Sequence, residues 1–313
     1  MSDFEKLEEM PEQELWDSLS LVTGIEKADA LYILSKKLHS RKLFQESLTL
    51  AEQARDIYLE HKNLVNESSL TNAYLAVGFN ADELNQNQIA IDNYNKALKI
   101  FIQSNRSDQV YWLAAILARN YELEKMQEKR LEVLKIACKA SEEQDDKSEL
   151  INNMVQVGLT LTLLEKYEEA YETFKMAREI ALSNGSNYQM IETYFHLAIG
   201  LFNVDKLEES IDAFKSVEDV AVLYSKPLFE AKCKLWIARC LQQMNKSSEA
   251  KTTFLESKEI VVKNNLQDCD DILIIIEREY ASCLESMSDP ISQDELTNQQ
   301  KLLASYDKVI HKI

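Results

Sequence analysis

The chain repeats itself every forty residues, and this period constrains its fold more than any other feature. An aromatic or aliphatic residue is followed by a small residue three positions on, an apolar residue seven positions on and another small residue ten positions on. The clearest copies are Tyr167, Ala170, Phe174 and Ala177, and then Leu207, Ser210, Phe214 and Val217. Spacings of three, four and seven residues place side chains on one face of an α-helix, so each copy predicts an amphipathic helix.

A second helix is predicted ahead of each of these copies. In the blocks that match best, a large residue is followed after three and four positions by an aliphatic and a small residue, as in Val157-Gly158. A small residue at a fixed place lets the neighbouring helix approach closely. Each block therefore predicts a helix, a tight turn and a second helix. The period holds four times in succession, and one interval of 43 residues places three extra residues between Glu60 and Leu70.

Glycine and proline are too rare for a sheet-based fold. The chain has five glycines and three prolines among 313 residues, less than a quarter of the usual share of roughly 12 %. Large α/β and all-β folds use these residues at turns and in phosphate-binding loops. The breaks between blocks are instead residues that end or cap helices, and they recur as Asn105, Asp145, Gly185, Ser225 and Asn265.

The blocks resemble tetratricopeptide repeats (TPRs) over residues 27–265, about three quarters of the chain. That family combines a large residue, leucine-glycine or leucine-alanine, and tyrosine or leucine on the first helix with alanine, aromatic and alanine positions on the second. Its usual period is 34 residues, and the forty-residue form is similar to the repeats of Rap-type quorum-sensing regulators and of some animal adaptor proteins. Two blocks depart from the pattern, one with Arg130 in place of a small residue and one with Lys234 and Ser247 at large-residue positions.

The resemblance implies an all-α fold, a right-handed superhelical α-solenoid of about six TPR-like helix-turn-helix repeats with capping helices at both ends. We expect an N-terminal capping segment over residues 1–26 and C-terminal capping helices over residues 266–313, because the outer repeats of such an array leave an apolar face to cover. The repeats themselves are expected at 27–65, 70–105, 110–145, 150–185, 190–225 and 230–265.

Charge and cysteine content narrow the class further. The formal net charge is −18 and the sequence pI is near 4.8, which disfavours nucleic acid and anionic membranes as partners. The five cysteines are scattered, as is typical of reduced thiols. The segment after Met1 is acidic and polar, unlike a signal peptide, and the apolar stretches are too short to span a bilayer. We therefore expect a soluble, cytoplasmic protein.

No set of residues in the sequence predicts catalysis or a cofactor. The four histidines are dispersed, and none is spaced to act with a serine or cysteine nucleophile. The five glycines cannot form a phosphate loop, and the sequence has neither a CxxC nor an HExxH metal motif. We predict a protein that is not an enzyme, with no catalytic residue, no cofactor and no metal site.

The resemblance implies that the first helices of the pairs line a concave groove. Four columns of side chains at forty-residue steps face it and mix amides, aromatic rings and cations, and Lys36 and His39 begin two of these columns. Amides pair with a peptide backbone, aromatic rings anchor a partner and cations receive carboxylates. The predicted partner-binding residues are Asn72, Phe79, Trp112, Arg119, Asn152, Gln156, Glu192, His196, Lys232, Trp236 and Arg239.

A structural interpretation of the same residues stays open. Trp112 and Trp236 can pack between neighbouring helices, and Arg119 and Arg239 can pair with adjacent acidic side chains for a modest gain in stability.

Three functional hypotheses fit these observations. The first is a scaffold or adaptor that holds a partner peptide or helix in the groove, with the cations available for an acidic group or a C-terminal carboxylate. The second is a peptide-pheromone-responsive regulator of the Rap type, which would lack that family's effector domain because only about 26 residues precede the first repeat. The third is a structural spacer that assembles a complex through its ends, with self-association through the C-terminal helix.

Overall fold

The structure is a computed structural model that describes residues 3–265, 270–287 and 290–310. Within these ranges the chain forms sixteen α-helices and no strand. The helices are α1 (Asp3–Glu9), α2 (Glu12–Ser18), α3 (Gly24–Ser40), α4 (Phe44–Glu60), α5 (Glu67–Glu83), α6 (Asn87–Gln103), α7 (Ser107–Leu123), α8 (Gln127–Glu143), α9 (Lys147–Leu163), α10 (Tyr167–Asn184), α11 (Asn187–Asn203), α12 (Leu207–Leu223), α13 (Pro227–Gln243), α14 (Ser247–Lys263), α15 (Asp270–Glu285) and α16 (Pro290–Ile310).

Each helix from α6 to α14 begins twenty residues after the one before it, and the forty-residue period is therefore two helices of nearly equal length. The pair α3 and α4 keeps the same spacing, but six residues separate Glu60 from Glu67. This longer connection holds the three extra residues that the 43-residue interval predicts. The helix pairs confirm the predicted all-α array of TPR-like repeats with further helices before and after it.

Ten of the turns that follow helices in the described part of the chain share one backbone conformation. Asn85 has a φ of 55°, its N–H donates to the carbonyl of Asp82 (2.9 Å), and the next N–H, of Gln86, donates to the carbonyl of Ala81 (2.8 Å). This pair of hydrogen bonds is a Schellman motif, which satisfies two carbonyls at the end of a helix and usually has glycine at the left-handed position. The residues with a left-handed φ in these turns are Lys42, Asn85, Asn105, Lys125, Asp145, Glu165, Asp205, Ser225, Asn245 and Asn265.

Asparagine and aspartate supply six of these ten positions, and they tolerate a left-handed φ better than other residues with side chains. The fold can therefore be built with very few glycines. Gly185 occupies the corresponding place in the sequence but differs, because its φ is −84° and its ψ is 157°. There α10 continues to Asn184, and Ser186 begins α11 with a capping box to Gln189.

Two glycines lie where paired helices touch, as the sequence predicts. A Cβ added to Gly78 would lie 2.4 Å from a ring carbon of Tyr94, and one added to Gly158 would lie 2.4 Å from a ring carbon of Phe174. Both rings are fully buried. The small residue on the first helix and the ring on the second thus form one interlocking contact in each pair.

The two blocks that depart from the family pattern are packed with the help of ion pairs. Arg130 is buried, and its guanidinium lies 3.1 Å from the carboxylate of Glu122. The amine of Lys234 lies between two carboxylates, 3.1 Å from Glu218 and 2.9 Å from Glu256. Charged side chains at these positions are therefore neutralised by neighbours within the chain.

Packing divides the chain into two compact units, and the division falls between Asn153 and Met154 within α9. In unit 1, the core is built around Leu15 of α2, Leu31 and Leu34 of α3, and Tyr58 of α4.

In unit 2, the core extends from Ile191 of α11 to Leu296 of α16 and includes Ile272 and Ile276. Both isoleucines are buried. The predicted division into six repeats and two terminal segments stays a prediction, and so does self-association through the last helix, whose side chains from residue 305 on lie outside the described part.

Candidate functional site

A cleft of about 510 Å³ opens in unit 1 between the first helices of successive pairs, α3, α5 and α7. We call it the aromatic cleft. It is lined by Tyr32, Ser35, Lys36, His39, Asn72, Leu75, Ala76, Phe79, Asn80 and Trp112. Three of the predicted groove residues, Asn72, Phe79 and Trp112, therefore come together in one cavity.

The aromatic walls of this cleft are fixed by packing. Phe79 and Trp112 stack with their ring centroids 6.2 Å apart and their planes 15° from parallel. Tyr94 meets Phe79 edge to face from the second helix of the pair, and Phe101 contacts Trp112. Because both rings of the stack are only partly buried, they present an apolar surface to the cleft without needing to move.

The polar groups of the cleft form a chain of hydrogen bonds. The amide nitrogen of Asn80 donates to the carbonyl of Ala76 (2.7 Å), and its amide oxygen lies 3.0 Å from Nδ1 of His39. An amide oxygen can only accept, so Nδ1 of His39 is the donor in this hydrogen bond. Asn72 is exposed at the rim. The cleft thus offers an apolar wall beside a histidine and an amide.

The cations near the aromatic cleft already have carboxylate partners within the chain. Lys36 pairs with Glu8 of α1 at 2.8 Å, and this hydrogen bond raises the pKa of the lysine. Arg119, one of the predicted groove residues, pairs with Asp82 on the preceding first helix. A carboxylate from a partner would have to compete with Glu8 or Asp82 for these groups.

A second cavity, of about 420 Å³, lies in unit 2 along α11, α13 and α15. We call it the C-terminal cleft, and it is lined by Phe195, Leu228, Lys232, Leu235, Trp236, Arg239, Asp271, Ile272 and Ile275. It contains three predicted residues, Lys232, Trp236 and Arg239.

Two side chains that line the C-terminal cleft belong to a stack of three. Trp236 lies parallel to Phe214 with ring centroids 5.9 Å apart, and the guanidinium of Arg239 lies 4.2 Å above the Trp236 ring. Arg239 also makes a two-pronged ion pair with Glu279 of α15, one prong of which is Nε to Oε2 at 2.7 Å. The arginine is held by its aromatic and carboxylate neighbours together.

Two other predicted residues lie close to Lys232, but outside the lining of the C-terminal cleft. Burial raises the pKa of Glu192, and the charge of Lys232 opposes this shift. His196 lies between the rings of Phe174 and Phe195, with centroid distances of 5.5 and 5.8 Å. Burial, with a contribution from the charge of Lys232, lowers the pKa of His196 to about 4. The histidine is therefore neutral at pH 7 and packs between helices.

The last two predicted residues lie on α9. Asn152 is exposed and belongs to unit 1, whereas Gln156 is partly buried and belongs to unit 2. Neither lines the aromatic cleft or the C-terminal cleft.

No family model and no curated protein matches the sequence. Solved structures of similar fold do match it. A signal-transduction ATPase with a tetratricopeptide-repeat sensor from Pyrococcus horikoshii is similar with a TM-score of 0.63 and 12 % identity, over 96 % of this chain and 45 % of that one. The apo form of RapI is similar with a TM-score of 0.51 and 16 % identity, over 83 % of this chain and 97 % of that one. The chain folds as a TPR-like repeat protein.

In this TPR-like protein, one column of residues lines the clefts although the sequence pattern does not predict a binding role for it. Tyr32 and Leu75 line the aromatic cleft, and Phe195 and Leu235, at the same repeat position, line the C-terminal cleft. An apolar residue at this position is typical of a buried core, so the spacing alone gives no sign of a binding role. Asn80 was missed for a similar reason, because it is buried against its own helix.

The described part of the repeat array gives no sign of metal chemistry or of a membrane span. Among the described residues, no three His, Cys, Asp or Glu side chains are grouped so that they could hold a metal ion. In the same part of the chain, every helix is too short or too polar to cross a membrane.

Proposed function

We propose that this chain is a non-enzymatic interaction module, a scaffold or adaptor, that holds an extended segment of a protein partner in the aromatic cleft. The observation that supports this function is the stacked pair of Phe79 and Trp112, which opens on a cavity of about 510 Å³ with an exposed amide at its rim. An apolar cavity with a few placed polar groups is the usual form of a binding site.

The side chains of the cleft match the chemistry of a peptide. A large apolar side chain of the partner would pack against the Phe79–Trp112 stack, because aromatic anchors bury much area at a small loss of side-chain entropy. Asn72 has both a donor and an acceptor, so it can pair with the backbone of an extended segment. Since helix packing holds the rings in place, little ordering of the protein is needed on binding, which favours affinity.

An acidic group or a C-terminal carboxylate of the partner would bind beside this anchor. Lys36 lines the cleft and is paired with Glu8, and both side chains are about half exposed. Exposed pairs of this kind contribute only about 0–1 kcal/mol. A partner carboxylate could therefore replace Glu8 at little cost. The net charge of −18 disfavours nucleic acid and anionic membranes in place of a protein, and we propose that the protein acts in the cytoplasm.

A peptide selection followed by calorimetry tests this proposal. Peptides selected from a random library on the intact chain would be titrated against the wild type and against two alanine variants of exposed asparagines, Asn72→Ala in the cleft and Asn152→Ala outside it. Losing one hydrogen bond of about 1 kcal/mol should weaken binding roughly fivefold for Asn72→Ala and leave Asn152→Ala within twofold. If Asn72→Ala, Asn152→Ala and Trp112→Leu all bound the peptide as tightly as the wild type, the peptide would bind elsewhere, and the proposal that it binds in the aromatic cleft would be wrong.

A further inference from the structure

A second surface of unit 1 carries features that the aromatic cleft does not use. A groove of about 500 Å³ runs between the second helices α6 and α8. Its walls include Leu98, Lys99 and Ile102 of α6 and Lys129, Val133 and Ile136 of α8. We call it the lysine groove. It shares no lining residue with the aromatic cleft.

The floor of the lysine groove is apolar and firmly held. Leu98 and Val133 are buried, whereas Ile102 keeps 44 % of its surface exposed. Tyr121, at the end of α7, closes the groove from below, and its hydroxyl accepts a hydrogen bond from the amide of Asn95 at 2.8 Å. An exposed isoleucine beside a fixed apolar floor leaves room for an apolar side chain from outside.

The two lysines of the groove differ from most cations described above because neither has a carboxylate partner among the residues that the structure describes. Neither Lys99 nor Lys129 takes part in an ion pair with any described residue, and the amine of Lys129 lies 5.9 Å from the centre of the Tyr121 ring. Both side chains are exposed. Two exposed lysines therefore flank an apolar floor, and one acid, Glu132, lines the groove with them.

The surrounding sequence is also unusually basic for this chain. Residues 87–143, which span α6 to α8, contain nine lysines and arginines against eight acids, a net charge of +1 in a chain whose net charge is −18. A corresponding groove between α12 and α14 in unit 2 has a similar volume, about 460 Å³, but its Lys234 is neutralised by Glu218 and Glu256. Among their lining residues, the lysine groove has two lysines and one acid, Glu132, whereas the α12–α14 groove has two lysines, Lys215 and Lys234, and two acids, Glu218 and Glu249. The lining of the lysine groove is therefore the more positive of the two.

We propose that the lysine groove binds an acidic segment of a protein partner that carries a large aliphatic side chain. The aliphatic side chain would pack against Ile102 and Val133, and carboxylates on either side of it would bind the amines of Lys99 and Lys129. Charge complementarity of this kind raises the association rate and selects the partner. The proposal is independent of the aromatic cleft, since the two sites share only α7 and have no lining residue in common.

Fluorescence anisotropy with a defined probe tests the lysine groove. The probe is a labelled ten-residue peptide with four glutamates and three leucines, capped at both ends, and its counterpart has glutamine at each glutamate. At 0.15 M salt, charges farther apart than about 8 Å are largely screened. We expect Lys99→Glu with Lys129→Glu to weaken binding at least tenfold, and Ile102→Ser to weaken it about fivefold. Binding of the glutamine peptide should be as weak as binding to the double variant.

A matched double variant serves as the control. Lys125→Glu with Lys135→Glu makes the same change of charge on exposed lysines that do not line the groove, and we expect less than a threefold loss, with circular dichroism unchanged in all variants. Equal losses in the two double variants would show general charge attraction and overturn the proposal, as would undetectable binding of the probe. A dimer in sedimentation velocity that Lys99→Glu with Lys129→Glu dissociates would also overturn it, in favour of a second copy of the chain.

Discussion

Gly158 of α9 lies so close to Phe174 of α10 that a Cβ at position 158 would come within 2.4 Å of a ring carbon. The ring of Phe174 is fully buried, so it has no free space into which to move. Gly78 and Tyr94 repeat the same contact in unit 1. The distance between two paired helices is therefore set by the absence of a side chain on one and a ring on the other.

Gly158→Leu should destabilise the chain. Overpacking of a filled core typically costs about 1–3 kcal/mol, and the new side chain would force α9 and α10 apart. Ala115→Leu adds a side chain of the same size at an exposed position of α7 and should change stability by less than about 0.5 kcal/mol. Urea denaturation followed by circular dichroism compares the two variants. Equal unfolding midpoints would show that the contact at Gly158 is not tight.

Glycine at a left-handed turn position should stabilise the chain. Lys125 has a φ of 56° and is exposed, and a left-handed conformation costs a residue with a side chain roughly 1–2 kcal/mol. Glycine would remove this cost, but its extra conformational freedom in the unfolded chain offsets part of the stabilisation. We expect Lys125→Gly to raise the free energy of unfolding by about 0.5–1 kcal/mol.

The opposite effect is expected for the same substitution inside a helix. Lys135→Gly, at an exposed position in the middle of α8, should lower stability by about 1 kcal/mol. A lower thermal midpoint for both variants would contradict the role given to the left-handed turns.

His196 should make the stability of the chain depend on pH. Burial lowers its pKa from 6.5 to about 4, so the folded chain favours the neutral ring. The unfolded chain binds the proton more readily between these two values, and the stabilising contribution is complete above pH 6.5 and is lost as pH falls towards 4. The contribution is on the order of 3 kcal/mol. Urea midpoints at pH 7 and pH 4.5 measure it.

His196→Gln provides the comparison for this effect, because the corresponding residue of the preceding repeat is Gln156. The variant should lose less stability than the wild type between pH 7 and pH 4.5, since the other titrating groups are the same in both proteins. An identical loss in the two proteins would mean that His196 is protonated as easily in the folded chain as in the unfolded one.

Most of the architecture can be predicted from the sequence because similar residue types recur at equivalent positions of successive repeats. A small residue at position 158 and a polar turn at Asn105 or Asp145 recur at forty-residue steps, and a pattern that recurs is hard to produce by chance. Gly185 shows the limit of such a pattern. It falls at a predicted turn position, but α10 is one residue longer there and the backbone is extended.

The side-chain partners of the candidate site are less predictable. Arg119 pairs with Asp82, 37 residues earlier, and Arg239 pairs with Glu279, 40 residues later. Either arginine has several acids within one repeat of it in the sequence, and the choice depends on side-chain rotamers and on the distance between neighbouring helices. The amphipathic pattern places these residues on a helix face, but it contains no information about which acid lies opposite.

Tryptophan fluorescence tests the proposed site most directly, because Trp112 lines the aromatic cleft and Trp236 lines the C-terminal cleft. Two variants that each retain one of these tryptophans, with phenylalanine at the other positions including Trp16, would be titrated with a selected peptide. Occupation of the aromatic cleft should change the emission of Trp112 along a saturable curve that matches calorimetry, and leave Trp236 unchanged. A change confined to Trp236, or binding by calorimetry with no change in Trp112, would contradict the assignment.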